Sequence, residues 1–313
     1  MFQEKSIGVV VPAYNEENFI GKVIDTMPDF VDKIIIVNDC SNDRTGEMIE
    51  EYKTRNKKVV AIHHEKNGGN GKALITGYVE AIKIDLDIIA VMDGDAQMDP
   101  KDLFNIILPV VWGEVDYVKG NRLTHPDVAK IMPRHRYIGN SILTLLTKFA
   151  TGYWHLMDPQ YSFTAISKRA LRSIDIEKMV PGFGYNADIL CMLNIRGFKA
   201  KDVDAKPIYG DEKTKIKLAS YIPKTSWILI KLFFKRLWKR YVVLDFHPII
   251  LFYMFSFFNI FIVSLPLAIY ILLNIYSAPR TSLIIFFFAF TMGVFSMQFA
   301  IWMDIEYNRN SKL

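Results

Sequence analysis

Two carboxylates and a side-chain amide follow one apolar run within five residues. Asp93, Asp95 and Gln97 come directly after residues 88–92, in the order Asp-Gly-Asp-Ala-Gln. Two carboxylates this close repel each other unless a cation lies between them. Oxygen ligands of this kind suit a hard divalent cation whose coordination is completed by substrate phosphates and water. The pattern therefore predicts a Mg²⁺ or Mn²⁺ ion bound to a diphosphate.

Two other apolar runs also end in polar residues. Residues 7–11 are followed by Pro-Ala-Tyr-Asn-Glu-Glu at 12–17, and residues 33–37 by Asn-Asp-Cys-Ser-Asn-Asp at 38–43. Ligands of parallel sheets bind beyond the carboxyl ends of the strands, so these residues are expected to meet at one rim. Helix capping is an alternative explanation for residues 41–43 and Asp99. Capping does not explain Asp93 and Asp95.

A glycine-rich segment, Asn-Gly-Gly-Asn-Gly-Lys at 67–72, precedes a helical pattern. Backbone of this kind at a helix start can hold phosphate. The spacing of a P-loop is missing, and an ordinary turn with a cap is the alternative. We favour a donor-site loop because Lys72 could meet phosphate charge.

The elements that must position these residues alternate along the first hundred residues. Short runs rich in Val and Ile predict buried parallel strands at 7–11, 33–37, 59–63 and 88–92. Helical spacing between them predicts helices at 17–27, 44–55 and 71–83. Strands that alternate with helices predict an α/β fold with a mostly parallel sheet.

Composition limits the class of protein. The chain has 313 residues, a net charge of +5 and two cysteines. Length allows one large domain or two small ones. Cys40 and Cys191 form neither a disulfide framework nor a zinc motif, which fits a reducing, cytosolic location for the polar part. The N-terminus does not have the pattern of a signal peptide.

Residues 247–273 and 282–303 contain no Asp, Glu, Lys or Arg. A helix needs about 20 apolar residues to cross a bilayer, so both segments are long enough. A buried core helix is the alternative, but such helices rarely reach this length without a charge. The short connection predicts an antiparallel hairpin, and Pro266 is expected to kink the first helix, which a bundle tolerates.

Basic residues flank the first apolar segment. Residues 231–240 hold five of them, whereas the connection between the segments holds only Arg280. The positive-inside rule therefore places both termini and the polar part in the cytoplasm. Residues 226–241 mix these charges with aromatic and aliphatic side chains, which suits a helix in the membrane interface. The charges could also hold anionic lipid head groups, or they could only orient the hairpin. Three segments are predicted: a catalytic domain at 1–220, a basic amphipathic helix at 221–245 and a transmembrane hairpin at 246–313.

Together these motifs resemble the family-2 glycosyltransferases of GT-A fold. Residues 9–17 resemble the opening motif of the family, and residues 37–45 its second motif, with Asn38 and Cys40 where Asp and Gly are usual. Residues 93–100 resemble the Asp-x-Asp-x-Gln-x-x-Pro form of dolichyl-phosphate mannose and glucose synthases. Residues 120–122 resemble the Gly-x-Arg that follows, and residues 158–163 a later motif with Ser162 in place of Gly. The resemblance covers roughly residues 6–220.

The resemblance implies a role for each matching residue. Asp93, Asp95 and Gln97 would hold the metal, and the nucleotide-sugar would contact Pro12, Tyr14, Asn15, Glu16, Asn38, Asp39, Lys72, Asp93, Gly94, Arg122 and Lys215. Residues 209–216 resemble a family stretch in which an upstream Arg is usual, and Lys213 or Lys215 would supply that charge here. The acceptor phosphate would contact Arg122, Arg136 and Asn140.

Arg136 and Asn140 would lie on an interfacial helix over about 134–151, whose apolar face would hold Ile138, Ile142, Leu145, Leu146 and Phe149. Generic surface charge is the alternative for Arg134 and Arg136. Catalysis would depend on Asp95, Arg122, Asp158 and Asp188. Asp158 would touch the donor sugar or line the reaction centre, and Asp188 would be a general base or a structural cap.

The implied reaction transfers a sugar, with inversion, from GDP-mannose, UDP-glucose or UDP-N-acetylglucosamine to dolichyl or polyprenyl phosphate. Membrane lipids are expected partners and nucleic acid is not, while the two spans leave self-association open. Transfer to a hydroxyl and a non-catalytic membrane scaffold are the alternatives. A processive polysaccharide synthase is a weaker alternative, because Gln160 is followed by Tyr-Ser-Phe-Thr and not by the x-x-Arg-Trp of that class.

Overall fold

The computed structural model describes residues 2–123, 134–182, 184–206, 208 and 218–309. The chain divides into two compact units, one reaching to Phe234 and one formed by Lys235–Arg309. The domain boundaries expected from the sequence stay predictions.

The first unit is built on a seven-stranded sheet of order β3-β2-β1-β4-β6-β5-β7. Its strands are β1 Ile7–Ala13, β2 Lys33–Asn38, β3 Val59–His63, β4 Ile88–Val91, β5 Tyr117–Asn121, β6 Thr164–Ser167 and β7 Ala200–Asp204. Strands β1 to β4 run parallel. Strand β6 runs antiparallel to β4 and to β5, and β7 runs parallel to β5. The prediction of a mostly parallel sheet is confirmed.

Among the described residues of this unit up to 195, the α-helices are α1 Ile20–Asp25, α2 Thr45–Arg55, α3 Asn70–Lys83, α4 Leu103–Val111, α5 Arg134–Thr151, α6 Lys168–Ser173 and α7 Tyr185–Ile195. Helix α1 is shorter than the predicted 17–27. The backbone N–H groups of Glu16 and Glu17 donate to the side chains of Thr45 and Asp43, and the helix begins only at Ile20. At the other end Pro28 limits α1, since proline disfavours helical backbone in the residue before it.

Apolar side chains fill both faces of the sheet. One core joins β1 to α1, α2 and α4 through residues such as Val9, Ile20 and Leu103. The other joins the opposite face to α3, α6 and α7 through residues such as Val10 and Leu74. Burial on both faces explains why β1, β2 and β4 are runs of mostly Val and Ile without polar alternation.

Helix α5 occupies the predicted range 134–151, and its apolar face lies open. Ile142 and Leu145 are 58% and 54% exposed, and Leu146 is also exposed. The opposite face packs Ala150 against Cys191 of α7 and against Leu229 and Leu232 of α8, which spans Leu218–Trp238. The expected apolar surface is therefore present at these three positions.

The second unit contains two helical segments long and apolar enough to cross a membrane, Ile249–Leu273 and Arg280–Tyr307. The first comprises α9 Ile249–Phe257, a π-helical stretch Phe258–Ser264 and α10 Leu265–Leu273, and the second is α11. Pro266 lies in the first turn of α10. Proline has no backbone N–H to donate within a helix. The π-helical stretch just before Pro266 is the wider turn by which the helix accommodates it.

Small side chains let the two apolar segments approach closely. The buried face of α11 presents Ala289, Gly293, Ser296 and Ala300. A Cβ on Gly293 would lie 2.7 Å from Cγ1 of Ile260. The hydroxyl of Ser256 donates to the Gly293 carbonyl at 2.8 Å. Close backbone packing with an interhelical hydrogen bond is the usual way in which membrane helices associate.

A fully buried ion pair lies near the end of α11. Arg236 donates from Nη1 and Nη2 to the two carboxylate oxygens of Asp304, each at 2.8 Å, and both side chains are 0% exposed. Tyr241 donates its hydroxyl to Oδ1 of Asp304, and Asn308 donates to the same oxygen at 3.0 Å. The carboxylate is thereby surrounded by donors. We name Arg236, Tyr241, Asp304 and Asn308 the Arg236 cluster.

Candidate active site

The loops that follow β1 and β2 are tied together by hydrogen bonds. The N–H of Asn15, at a positive φ of 57°, donates to the Ser41 hydroxyl at 3.0 Å. Its side-chain oxygen accepts from the N–H of Asn42 at 2.9 Å. The Pro12 carbonyl accepts from the N–H of Gly94 at 3.2 Å, which joins the loop after β4 to the same rim. The three polar strand ends therefore meet as predicted, with Tyr14 exposed beside them.

Asn38, which stands where the family usually has Asp, uses both ends of its amide. Oδ1 accepts from the N–H of Ser41 at 3.1 Å, and Nδ2 donates to Nδ1 of His63 at 3.0 Å. The other ring nitrogen of His63 donates to Glu50 at 2.9 Å, which is consistent with an unprotonated Nδ1. An aspartate at position 38 would place a carboxylate oxygen, instead of an N–H donor, against the lone pair of His63 Nδ1. The amide is thus matched to its histidine neighbour.

Asp39 lies beneath the glycine-rich segment. Its two oxygens accept from the N–H groups of Gly68 and Gly69 at 2.9 and 2.7 Å, and Nδ1 of His64 donates to it at 2.7 Å. The residue is only 3% exposed. In the structure Asp39 fixes the loop, while its predicted contact with the nucleotide stays a prediction.

The glycine-rich segment begins α3 and meets the chain near residue 181. A Cβ on Gly71 would lie 2.6 Å from the Pro181 carbonyl oxygen, so this position accepts only glycine. Lys72, the residue expected to face phosphate, is exposed. Asn70 instead donates to the Tyr185 hydroxyl at 3.3 Å. Sequence reasoning missed Asn70, although its place at the helix start was a usable signal.

Asp93 has one oxygen bound by a hydrogen bond and one that is buried without a partner among the described residues. Its Oδ2 accepts from the Ser162 hydroxyl at 2.7 Å. Its Oδ1 is buried and has no hydrogen-bond partner among the described residues. Burial raises the pKa of Asp93, while hydrogen bonds from Ser162 and Asn70 and the charge of Arg122 act against that rise. A buried, unsatisfied carboxylate oxygen is costly, and a cation would remove that cost.

Asp95 and Gln97 form a short turn beside Asp93. Oδ1 of Asp95 accepts from the N–H of Gln97 at 3.0 Å, and both side chains are half-buried. Within the described ranges no group of three or more His, Cys, Asp or Glu side chains could hold a metal ion. A cation at Asp93, Asp95 and Gln97 would therefore depend on phosphate oxygens and water for its remaining ligands. Mg²⁺ is commonly held in this way.

Arg122, which directly follows β5, forms an ion pair with Asp158. Its Nε and Nη2 donate to the two oxygens of Asp158 at 2.8 and 3.2 Å. The guanidinium lies 4.2 Å from the centroid of the Tyr161 ring. A Cβ on Gly120 would come within 3.0 Å of that ring, which explains the glycine of the Gly-Asn-Arg motif. Asp158 is 1% exposed, so it orients Arg122 and does not face open solvent.

Lys119 and Asp188 are also buried. Nζ of Lys119 donates to Asn186 at 2.8 Å, and burial lowers the pKa of Lys119 to about 7. Asp188 is 1% exposed and its Oδ2 accepts from the N–H of Val180 at 3.0 Å. This contact favours the structural alternative for Asp188 over the general base. Lys119 was not among the site residues predicted from the sequence.

The side chains of four residues expected at the site cannot be placed. Lys215 lies outside the described residues, as does Lys213. Arg136 and Asn140 belong to α5, but their side chains lie outside the described part of the chain. Their predicted roles stay predictions.

Known proteins and one family model resemble this chain. A family model described as "Glycosyl transferase family 2" matches residues 8–175. A UDP-N-acetylglucosamine–dolichyl-phosphate N-acetylglucosaminyltransferase of Methanococcus voltae is 32% identical over 221 residues, which cover 66% of this chain and 88% of that protein. A dolichol-phosphate mannosyltransferase of Pyrococcus furiosus is 25% identical, and the match covers 65% of this chain and 56% of that one.

Among solved structures, glucosyl-3-phosphoglycerate synthase from Mycobacterium tuberculosis, in complex with Mn²⁺, UDP and glucosyl-3-phosphoglycerate, matches with a TM-score of 0.54. The two proteins share 19% identity, and the match covers 74% of this chain and 80% of that one. This likeness concerns the fold alone, and it confirms the predicted GT-A fold.

Proposed function

Since this chain belongs to glycosyl transferase family 2 and is a glycosyltransferase, we propose that it transfers a sugar from a nucleotide-sugar to dolichyl phosphate or a related polyprenyl phosphate. The observation that supports this most is the buried, unsatisfied oxygen of Asp93 beside Asp95 and Gln97. The two relatives named above act, by their names, on dolichyl phosphate. Two segments long enough to cross a membrane suit a lipid acceptor.

A divalent cation bound at Asp93, Asp95 and Gln97 would supply positive charge to the leaving diphosphate. The chain itself contributes Arg122, whose direction Asp158 fixes by two hydrogen bonds. Charge that is held in place before the reaction stabilises the transition state without reorganisation. The bond between the anomeric carbon and the diphosphate oxygen breaks as a phosphate oxygen of the acceptor bonds to that carbon. This single displacement inverts the anomeric centre.

The acceptor phosphate is already anionic at neutral pH, so no general base is needed. Asp188 then acts as the structural residue that its hydrogen bond to Val180 indicates. We propose Arg136 and Asn140 of α5 as contacts of the acceptor phosphate. The exposed Ile142, Leu145 and Leu146 of the same helix would lie among lipids. The positive-inside rule would place both termini in the cytoplasm.

A transfer assay tests the proposal. Protein purified in detergent is incubated with dolichyl or undecaprenyl phosphate, Mg²⁺ or Mn²⁺, and labelled GDP- and UDP-sugars. UDP-N-acetylglucosamine is the first donor to try, because the M. voltae relative is named for it. Cation-dependent label in the lipid phosphate is the expected result. Label that moves only to a hydroxyl acceptor, or that stays with the nucleotide for every donor, would contradict the proposal.

Ser162, where the family usually has glycine, should strengthen cation binding. Its hydroxyl fixes one oxygen of Asp93 and leaves the other for the cation. Removing a hydrogen-bond partner of a metal ligand typically costs about 10–100-fold in affinity. Ser162→Ala should therefore weaken Mn²⁺ binding in the presence of UDP or GDP by about tenfold, as read from the electron paramagnetic resonance signal of free Mn²⁺.

Ser173→Ala is the matched control, because it removes a hydroxyl from the surface of α6. It should leave Mn²⁺ affinity within about twofold of the parent, as expected for a substitution far from the site. Equal Mn²⁺ affinity in the Ser162 and Ser173 variants would show that the Ser162 hydroxyl plays no part in binding the cation.

A further inference from the structure

Asp202, on the edge strand β7, touches two separate segments of the candidate site. Its Oδ2 accepts from the N–H of Met157 at 2.6 Å and from Nδ2 of Asn121 at 3.2 Å. Met157 directly precedes Asp158, and Asn121 directly precedes Arg122. One carboxylate oxygen therefore connects the two segments that carry the Arg122–Asp158 ion pair.

We propose that Asp202 is a positioning residue that sets the Arg122–Asp158 pair, and that it does so best as a neutral carboxylic acid. The proposal rests on the proposed function in one respect, namely that Arg122 faces the leaving diphosphate. Asp202 acts through its hydrogen-bond partners Asn121 and Met157 and does not contact the substrate. The pair needs such a support because its members come from segments 36 residues apart in the chain.

The second oxygen of Asp202 favours the neutral form. Oδ1 is buried and has no hydrogen-bond partner among the described residues. An unsatisfied oxygen costs less to bury on a neutral carboxyl than on a carboxylate. Burial, and after it the negative charge of Asp158, raises the pKa of Asp202 to about 7. The Met157 N–H, Lys119 on β5 and Lys148 on α5 act in the opposite direction.

The charge of Asp202 has a consequence for Arg122. Because the pKa is raised, Asp202 is neutral below about pH 7 and becomes ionised above it. An ionised Asp202 adds a second negative charge beside Asp158, which reduces the positive potential that Arg122 offers a diphosphate. Lys119 has a pKa lowered to about 7 and titrates in the same range, so the apparent midpoint belongs to the group. Both changes reduce positive charge as the pH rises.

Two variants distinguish the effect of the hydrogen bonds that Asp202 accepts from the effect of its negative charge. Asp202→Asn keeps an acceptor oxygen for Met157 and Asn121 but never ionises. At pH 8 a group with a pKa of about 7 is roughly nine-tenths ionised. The ratio of kcat at pH 8 to kcat at pH 6 should therefore be several-fold, up to about tenfold, higher in Asp202→Asn than in the parent. Asp202→Ala loses both hydrogen bonds and should lower kcat by roughly tenfold or more at every pH, since small misplacements of catalytic groups cost up to about 10²-fold.

Glu114→Gln is the matched control. It makes the same change from carboxylate to amide at an exposed residue that pairs with Lys201 of β7 at 3.4 Å. Its pH profile should follow the parent, because an exposed ion pair contributes little. The acceptor phosphate titrates equally in all four proteins, so differences between the profiles come from Asp202 and from Lys119, whose pKa the charge of Asp202 raises.

An infrared measurement tests the inference without any substrate. The difference spectrum of parent minus Asp202→Asn at pH 6 should contain the C=O stretching band of a protonated carboxylic acid, and this band should disappear by pH 8. Absence of the band at pH 6, or the same pH profile in the parent and Asp202→Asn, would overturn the inference. So would Asp202→Ala that folds and keeps the parent kcat. Failure of the parent to transfer sugar would refute the proposed function instead, and the infrared result would still stand.

Discussion

Asp93→Asn is expected to lower sugar transfer by roughly 10²–10³-fold, the usual cost of removing a group that stabilises developing charge. The same substitution should stabilise the cation-free protein by about 1 kcal/mol, because a neutral amide replaces a buried carboxylate with an unsatisfied oxygen. Activity and stability therefore change in opposite directions, as they often do at functional sites. The transfer assay measures the first effect, and thermal unfolding in detergent with a chelator measures the second.

Asp99→Asn provides the comparison. Asp99 caps the turn that follows the metal motif by accepting from the N–H of Lys101 at 3.0 Å, and asparagine caps equally well. This variant should keep both the transfer activity and the unfolding temperature of the parent. Addition of Mn²⁺ and nucleotide should raise the unfolding temperature of the parent more than that of Asp93→Asn, because ligands stabilise only proteins that bind them. Equal stabilisation of the parent and Asp93→Asn by the cation would refute a role for Asp93 as a ligand.

The second large effect is expected in the hairpin unit. Asp304→Ala should lower the free energy of unfolding by about 3–5 kcal/mol, because it leaves the fully buried charge of Arg236 without its carboxylate. Tyr241 and Asn308 lose an acceptor in the same step. Trp238 and Trp302 lie in this unit and are exposed, so their fluorescence during unfolding in detergent reports the change.

A double variant distinguishes a buried charge from a general packing defect. Arg236→Met combined with Asp304→Leu removes both charges and keeps apolar volume, and it should be more stable than Asp304→Ala alone. Glu306→Gln, in an exposed pair with Arg309 at 3.4 Å, should change stability by less than about 0.5 kcal/mol. If the double variant were no more stable than Asp304→Ala, the cost would not come from the unpaired arginine.

The sequence predicted the parallel half of the sheet because its residues are apolar throughout. Strands β1, β2 and β4 are runs of mostly Val and Ile that are buried on both faces, and the edge strand β3 has a similar composition, so composition alone identifies them. The polar residues at their ends meet because strand direction decides which ends share a rim. The two apolar segments were identified from a local pattern of side chains, whereas helix α5 was expected from the family resemblance and from the helical spacing of its apolar residues.

The other half of the site depends on contacts that local patterns do not encode. Strand β5 carries Lys119 in its middle, and β7 reads Ala-Lys-Asp-Val-Asp. A buried lysine becomes understandable only when Asn186 is seen beside it, 67 residues later in the chain. Asp202 likewise depends on Asn121 and Met157. These residues were missed because their meaning comes from strand order, which brings distant segments together.

The place of β6 between β4 and β5 has a consequence for how the protein is made. Asp93 meets Ser162 only after 69 further residues have left the ribosome. At about 5–20 residues per second, translation delivers that segment several seconds after the four parallel strands. Because closing long loops is entropically costly, we expect the nucleotide rim to form first and the cation site to close late. A nascent chain arrested before residue 160 should therefore hold a structured rim that lacks a working catalytic centre.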